Sequence, residues 1–444
     1  MIIEFLRHHS RILVITDNFE ACRIGSLWFL KSEFLHMNFA RHNSRHFVSG
    51  LFLAIACVVS QHHVSAQQKD AEQTVRVATF NCSLNRNKPG ELLSDLSGGS
   101  NKQAQKVARI LRTVRPNILL LNEFDFSEDN KAVHCFLEEY LNASAEWASE
   151  EPISYPYFFT APVNTGVPSG RDLDHDGMTD GPGDAIGFGR FPGQYGMVLL
   201  SQFPIETNDV RTFQKLLWKS MPDALLPPSG KEDNKSWYSD EDLNLLRLSS
   251  KSHWDVPIRV RDQVLHILAS HPTPPAFDGP EDRNGRRNHD EIRLWAEYVS
   301  GEKKSWLVDD QGRQSTLSAD AAFVILGDLN ADPNDGASYQ VAINQLLKDP
   351  RINTEQTPSS MGGVEAAKSQ RGKNSEHKGD HSHDTADFND RGVGNLRADY
   401  VLPSKNLKAT AAGIFWPLST DPGSKLADCS DHRLVWVDLF VPPK

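Results

Sequence analysis

Eight polar residues stand where the chain could do hydrolytic chemistry. Asn81 follows the apolar run VRVATF, and Glu123 follows ILLLN. His271 follows LHILAS, and Asp328 and Asn330 follow FVILG. Asp399 opens DYVL, and Asp431 and His432 precede RLVWVDLF. Most lie at the C-terminal ends of strand-like runs, so a folded sheet core would line one rim with carboxylates, amides and imidazoles. Carboxylates brought together repel, and one must bind a proton unless a cation is near. A hard divalent ion such as Mg²⁺, or Mn²⁺, takes oxygen ligands from one or two carboxylates and otherwise keeps waters and substrate phosphates. The chemistry that suits such a rim is phosphoester hydrolysis. It needs an in-line water, neutralisation of the equatorial oxygens and protonation or metal stabilisation of the leaving oxygen.

Short apolar runs supply the elements that must position these groups. Val75–Phe80, Met197–Leu200, Val264–Ala269, Phe323–Leu326, Tyr400–Leu402 and Leu434–Phe440 read as strands. Ile118–Leu121 is continuously apolar, as expected of a strand covered on both faces. Lys102–Val114 carries Val107, Ile110, Leu111 and Val114 at helical spacing, with Pro116 just beyond. Glu291–Val299 and Val341–Leu347 have similar spacing. Two stretches read as loop insertions: 164–194, rich in Gly and Asp, and 354–394, rich in Ser, Gly, Lys and His. Strands therefore mix with helices in one long α/β domain spanning 67–444.

Composition narrows the classes. The chain has 444 residues, 39% of them hydrophobic, which is ample for a packed core. Its net charge is −11, so a role resting on non-specific duplex binding is disfavoured. Residues 1–66 read as a leader. Within it, 37–66 has a basic start at Arg41 and Arg45, a short apolar stretch and the small-residue exit Val64-Ser65-Ala66, a signal-peptide pattern. Met37 is then a candidate initiator, and a secreted or periplasmic location is expected. Cys82, Cys135 and Cys429 remain after the leader, too few for a disulfide scaffold.

The signatures TFNCSLNR, LLLNEFD, SHPTPP, ILGDLNADP, RADYVLPS and SDHRLVWVDL occur in the order found in the endonuclease/exonuclease/phosphatase superfamily, which the chain resembles over residues 74–441. The resemblance implies a DNase I-like four-layer αββα sandwich, two packed mixed sheets flanked by helices. It implies that Glu123 binds a divalent metal, with Asn81 beside it and Asp431 nearby. It matches Asp328 and Asn330 to the pair that positions nucleophile and phosphate, His432 to the histidine on the scissile phosphate, and Asp399 to its orienting carboxylate. His271 matches the second histidine of the DNase-like branch, a candidate acid. Singly, each residue has a plainer reading as a turn or strand-end residue. Jointly and in order, the functional reading prevails: a metal-dependent phosphoesterase acting on a nucleic acid, a phospholipid head group or a small organic phosphate. It is expected to work as a monomer, without an obligate protein partner.

Three features lie outside that pattern. Asp172, Asp174, Asp176 and Asp180, with Gly177 between, resemble the front half of a calcium loop, although Gly183 stands where a glutamate is expected. Arg283, Arg286 and Arg287 are candidate phosphate contacts. His377, His381 and His383 lie in a polar stretch better read as a loop than as a metal site. The competing class is a catalytically silent, calcium-stabilised binding module on the same fold. The complete set of candidate site residues argues against it.

Overall fold

The computed structural model describes residues 74–229 and 235–441, together with four short strands within 14–35. The chain divides into a unit of Met1–Lys69 and one of Asp70–Lys444. In the first, Val14–Ile15 pairs with Phe34–Leu35 and Glu20–Ile24 with Leu27–Lys31, both antiparallel. The signal-peptide segment 37–66 lies outside the described residues.

The second unit holds thirteen described strands. These begin with β1 (Thr74–Leu84), β2 (Ile118–Phe124), β3 (Tyr157–Phe159), β4 (Met197–Ser201) and β5 (Arg211–Thr212). β6 (His253–Val260), β7 (Gln263–Ser270) and β8 (Ala322–Asp328) follow. The last are β9 (Ala386–Asp387), β10 (Asn395–Leu396), β11 (Asp399–Pro403), β12 (Lys408–Ile414) and β13 (Val435–Phe440). Six form one mixed sheet in the order β12-β13-β1-β2-β4-β3, and five form another in the order β11-β8-β7-β6-β5.

Period-two alternation explains the layers. Val75, Val77, Ile118 and Leu120 point inward and meet Val256, Ile267, Val324 and Leu326 of the other sheet. Ala78, Phe80, Leu119 and Leu121 point outward and are covered by Val107, Ile110 and Leu111 of α1 (Lys102–Val114). Phe323, Ile325 and Leu268 are covered by Ile292 and Trp295 of α2 (Arg283–Val299). ILLL is apolar throughout because both of its faces are covered. Burying each such side chain is worth about 1.5–3 kcal/mol. The result is helix, sheet, sheet, helix, the expected sandwich. The asparagine cap predicted by no pattern is Asn101, whose side chain accepts from the Ala104 N–H at 3.0 Å.

Two expectations change. Val341–Leu347 is not one helix: Gln340 and Val341 adopt positive φ, and a short helix covers only Asn344–Leu347. The 354–394 stretch is not a plain exposed loop. It contains α3 (Met361–Gln370) and β9, which pairs with β10 just beyond it. Sequence patterning also missed β6, because Pro257 interrupts it. Pro257 still pairs in register with His266 of β7, and its carbonyl accepts from the Glu206 N–H at 2.9 Å.

Gly327, just before Asp328, has φ +146°, and a Cβ there would lie 1.9 Å from the Ser270 carbonyl oxygen of β7. Only glycine lets β8 approach so closely. Gly327→Ala is expected to lower stability by about 2–3 kcal/mol or more. A urea midpoint within error of the wild type would show that β8 has room to shift.

Candidate active site

The parallel pairs β1–β2 and β7–β8 bring their C-terminal ends to one rim. β11 and β13 run antiparallel to their neighbours, so their N-terminal ends reach the same rim. Asn81, Glu123, His271, Asp328, Asp399 and His432 are thereby gathered from six segments. Asp328 and Asp399 are direct register partners across β8 and β11.

Asp328 is the hub, and it is buried. Its Oδ2 accepts from Asn81 Nδ2 at 3.0 Å and lies 3.3 Å from His271 Nε2 and 3.5 Å from His432 Nε2. Its Oδ1 accepts from the Asn330 N–H at 3.0 Å. Burial alone would raise its pKa, but His432 and then His271 outweigh it and hold the carboxyl below the usual range. His432 Nδ1 bonds Asp399 Oδ2 at 2.8 Å. Burial opposes the imidazolium; Asp399 and Asp328 overcome it and raise the ring to about 10. His271 has the opposite balance. Burial and the nearby Lys251 push its pKa down, against Asp328. Its Nε2–H faces Asp328, which gives it the part of orienting that carboxylate.

Asn81 joins the two halves of the site. The same Nδ2 that donates to Asp328 donates to Glu123 Oε1 at 3.1 Å. Asn85 Nδ2 donates to Glu123 Oε2 at 2.7 Å. Glu123 sits at φ +59° and Asn330 at φ +52°, left-handed conformations that cost non-glycine residues energy and often mark functional positions. Asp431 is exposed, with Ser83 Oγ at 3.3 Å from its Oδ1. Glu123, Asp431 and the Asn81 amide offer only oxygen among their ligand atoms, a hard donor set that suits a divalent cation keeping its waters. His432 Nδ1 is engaged by Asp399, and its Nε2 faces Asp328.

A cavity of about 890 Å³ opens onto these groups. Glu123, Asp328, Asn330, Asp431 and the two histidines line it, with Phe188, Phe277 and Phe388 among its apolar walls. Phe277 and Phe188 are exposed.

Other candidates separate. The ligand oxygens of Asp172, Asp174 and Asp176 lie within 4.8 Å of one another, without Asp180. Each also accepts a local backbone N–H, from Gly177, Asp176 and Met178 respectively. Of the three candidate arginines, Arg283 and Arg287 line the cavity and Arg286 does not, and each has contacts within the fold. Arg287 is buried, and its Nε and Nη2 donate to the carbonyls of Leu248, Ile186, Arg247 and Ser249. Arg286 lies 4.8 Å from the Tyr339 ring. Arg283 reaches the cavity but pairs with Glu281 and lies 5.3 Å from the Trp237 ring. His377, His381 and His383 bond Val393 O, Asn374 O and Pro358 O, so they brace their own segment.

Three supporting residues were not among the expected site residues. Buried Asn122 accepts from the Asp328 N–H at 3.3 Å and from Thr79 Oγ1 at 3.1 Å. Thr385 Oγ1 donates to Asp399 Oδ2 at 2.8 Å. Glu291 of α2 accepts from the N–H groups of Ser250 at 2.7 Å and Thr273 at 2.6 Å. Asn122 lies within the LLLNEFD signature, next to Glu123; nothing local distinguishes the others.

A two-sheet α/β sandwich with an acid–histidine centre at one rim has the phosphoesterase type of fold. The Endonuclease/Exonuclease/phosphatase family model matches residues 78–432, and the chain belongs to that family. Members generally hydrolyse phosphoester bonds and use divalent metals. Solved structures similar to the chain include an endonuclease/exonuclease/phosphatase from Beutenbergia cavernae, 16% identical, with a TM-score of 0.45, covering 83% of this chain and 72% of that one. A family protein from Bacteroides thetaiotaomicron is 11% identical, with a TM-score of 0.41 and coverage of 83% and 98%. Beta toxin from Staphylococcus aureus with bound magnesium ions is 13% identical, with a TM-score of 0.38 and coverage of 82% and 98%. No curated protein matches the chain.

The His432–Asp399 pair makes a pH prediction. His432 is charged below its pKa, and Asp399 raises that pKa. Asp399→Asn removes the raising charge, so the imidazolium is lost at lower pH. The alkaline fall in kcat/KM is expected to move to lower pH, read from a pH–rate profile. An unmoved alkaline limb would separate Asp399 from the charge on His432.

Proposed function

We propose that the protein is a divalent-metal-dependent phosphoesterase that hydrolyses a phosphodiester or phosphomonoester by in-line attack of water. The observation that carries this reading is the convergence of Glu123, Asp328 and His432 on one cavity, with Asn81 bonding both carboxylates. Glu123 and Asp431, with Asn81 beside them, would hold magnesium or manganese. When bound, such an ion supplies positive charge to the phosphoryl oxygens and the leaving group.

The chain's own residues divide the remaining work. Asp328 has a depressed pKa and is a weak base, so it orients the attacking water more than it deprotonates it. Asn330, fixed by the Asp328 side chain and by its own Nδ2 bond to Pro272 O at 3.1 Å, faces the cavity beside it. His432 offers an imidazolium to the charge that develops on the phosphoryl oxygens. His271 holds Asp328 in place. Calcium at Asp172, Asp174 and Asp176 belongs to the same reading, as does export directed by residues 37–66. The substrate is a nucleic acid, a phospholipid head group or a small organic phosphate.

Glu123→Gln, Asp328→Asn and His432→Ala are each expected to lower turnover of bis-p-nitrophenyl phosphate by about 10²–10⁴-fold while circular dichroism stays native. EDTA is expected to abolish turnover and excess Mg²⁺ to restore it. Metal-independent hydrolysis, or any of these variants working at the wild-type rate, would remove the corresponding role.

A further inference from the structure

Lys251 stands between two serines just before β6, and nothing in the sequence marks it for chemistry. It is 6% exposed, yet it lines the cavity beside Glu123, His271 and Asp328. Among the described residues its Nζ forms no hydrogen bond or ion pair; burial pushes its pKa down, against the charges of Glu291, Glu123 and Asp328. An ammonium in such a place without a partner is unfavourable, and an anionic ligand entering the cavity would stabilise it.

The nearby acids are already occupied. Glu123 accepts from Asn81 and Asn85, and Asp328 from Asn81 and Asn330. Glu291 accepts from Ser250 and Thr273. That last carboxylate also fixes the backbone on one side of Lys251, while the Lys251 carbonyl accepts from the Asn164 N–H at 2.9 Å. The lysine is thus held rigidly while its three donors remain for something that enters the cavity. The entrant must present anionic oxygens and also reach Asp328 and His432.

We propose that Lys251 is a substrate-binding residue that donates to a non-bridging oxygen of the phosphoryl group. This rests on the phosphoesterase reading and adds to it a cation from the chain itself, on the wall that holds His271. A compact ammonium suits one oxygen rather than a bidentate grip.

The test compares wild type, Lys251→Met and Lys251→Arg in the magnesium-loaded full chain. The readouts are kinetics on bis-p-nitrophenyl phosphate, calorimetric titration with inorganic phosphate, and thermal unfolding. Lys251→Met is expected to lower kcat/KM by about 100-fold and phosphate affinity by about tenfold or more. Its unfolding midpoint should not fall, because the variant removes an unpaired buried charge. Lys251→Arg should recover part of the phosphate affinity. A Met variant that binds phosphate as the wild type does overturns the assignment. So does one that fails to fold, since the lysine would then be structural. A wild type that loses phosphate binding on Lys251→Met but hydrolyses no phosphoester would refute the phosphoesterase reading and leave the assignment to Lys251 standing.

Discussion

A carboxylate taken out of water needs donors or positive charge around it, and Asp328 is that carboxylate. Its partners come from the end of β1, the residue after β7, the segment before β13 and its own following turn. None of these is local except Asn330. The anion can therefore exist only when both sheets are assembled and in register. In return it fixes Asn81, and through Asn81 it fixes Glu123. The metal side and the histidine side of the cavity share one acid.

The packing around that acid is arranged to keep it there. Gly327 lets β8 lie against Ser270, and Asn122 reaches from β2 to bond the Asp328 N–H. Both act between elements that belong to different sheets or different strands. Asp399 and His432 form a second, dependent pair. The imidazole is charged because two acids face it, and one of those acids keeps its place through Thr385. Charge on one side of the site is thus set by hydrogen bonds on the other.

Much of this was readable from the amino-acid string. Alternation in VRVATF and the unbroken apolar run ILLL identify covered strands, because side chains alternate with period two and both faces are buried. Asp328, Asn330 and His432 are readable because each directly adjoins such a strand. Arg283, Arg286 and Arg287 misled, because a run of arginines gives no sign of which guanidinium will meet backbone carbonyls. α2 turns Arg287 inward, where its donors tie two loops together. Lys251 was invisible for the converse reason. A lysine among serines looks solvated until the fold closes a wall over it. The 354–394 stretch looked loop-like because few of its residues are apolar. Its order comes instead from hydrogen bonds, such as Gln370 to Asp387 at 2.7 Å and His381 to Asp384 at 2.8 Å.

That stretch carries Thr385, and its Ala386 bridges directly to His432. In many enzymes the peripheral segments that shape the mouth can be exchanged while the reactive groups stay untouched. Here one such segment contributes a hydroxyl to the orienting acid itself. Swapping it for a shorter or unrelated loop would alter proton affinity at the histidine along with access to the cavity. In this protein the rim and the chemistry are therefore not independent: a new rim must bring its own replacement for one hydroxyl group.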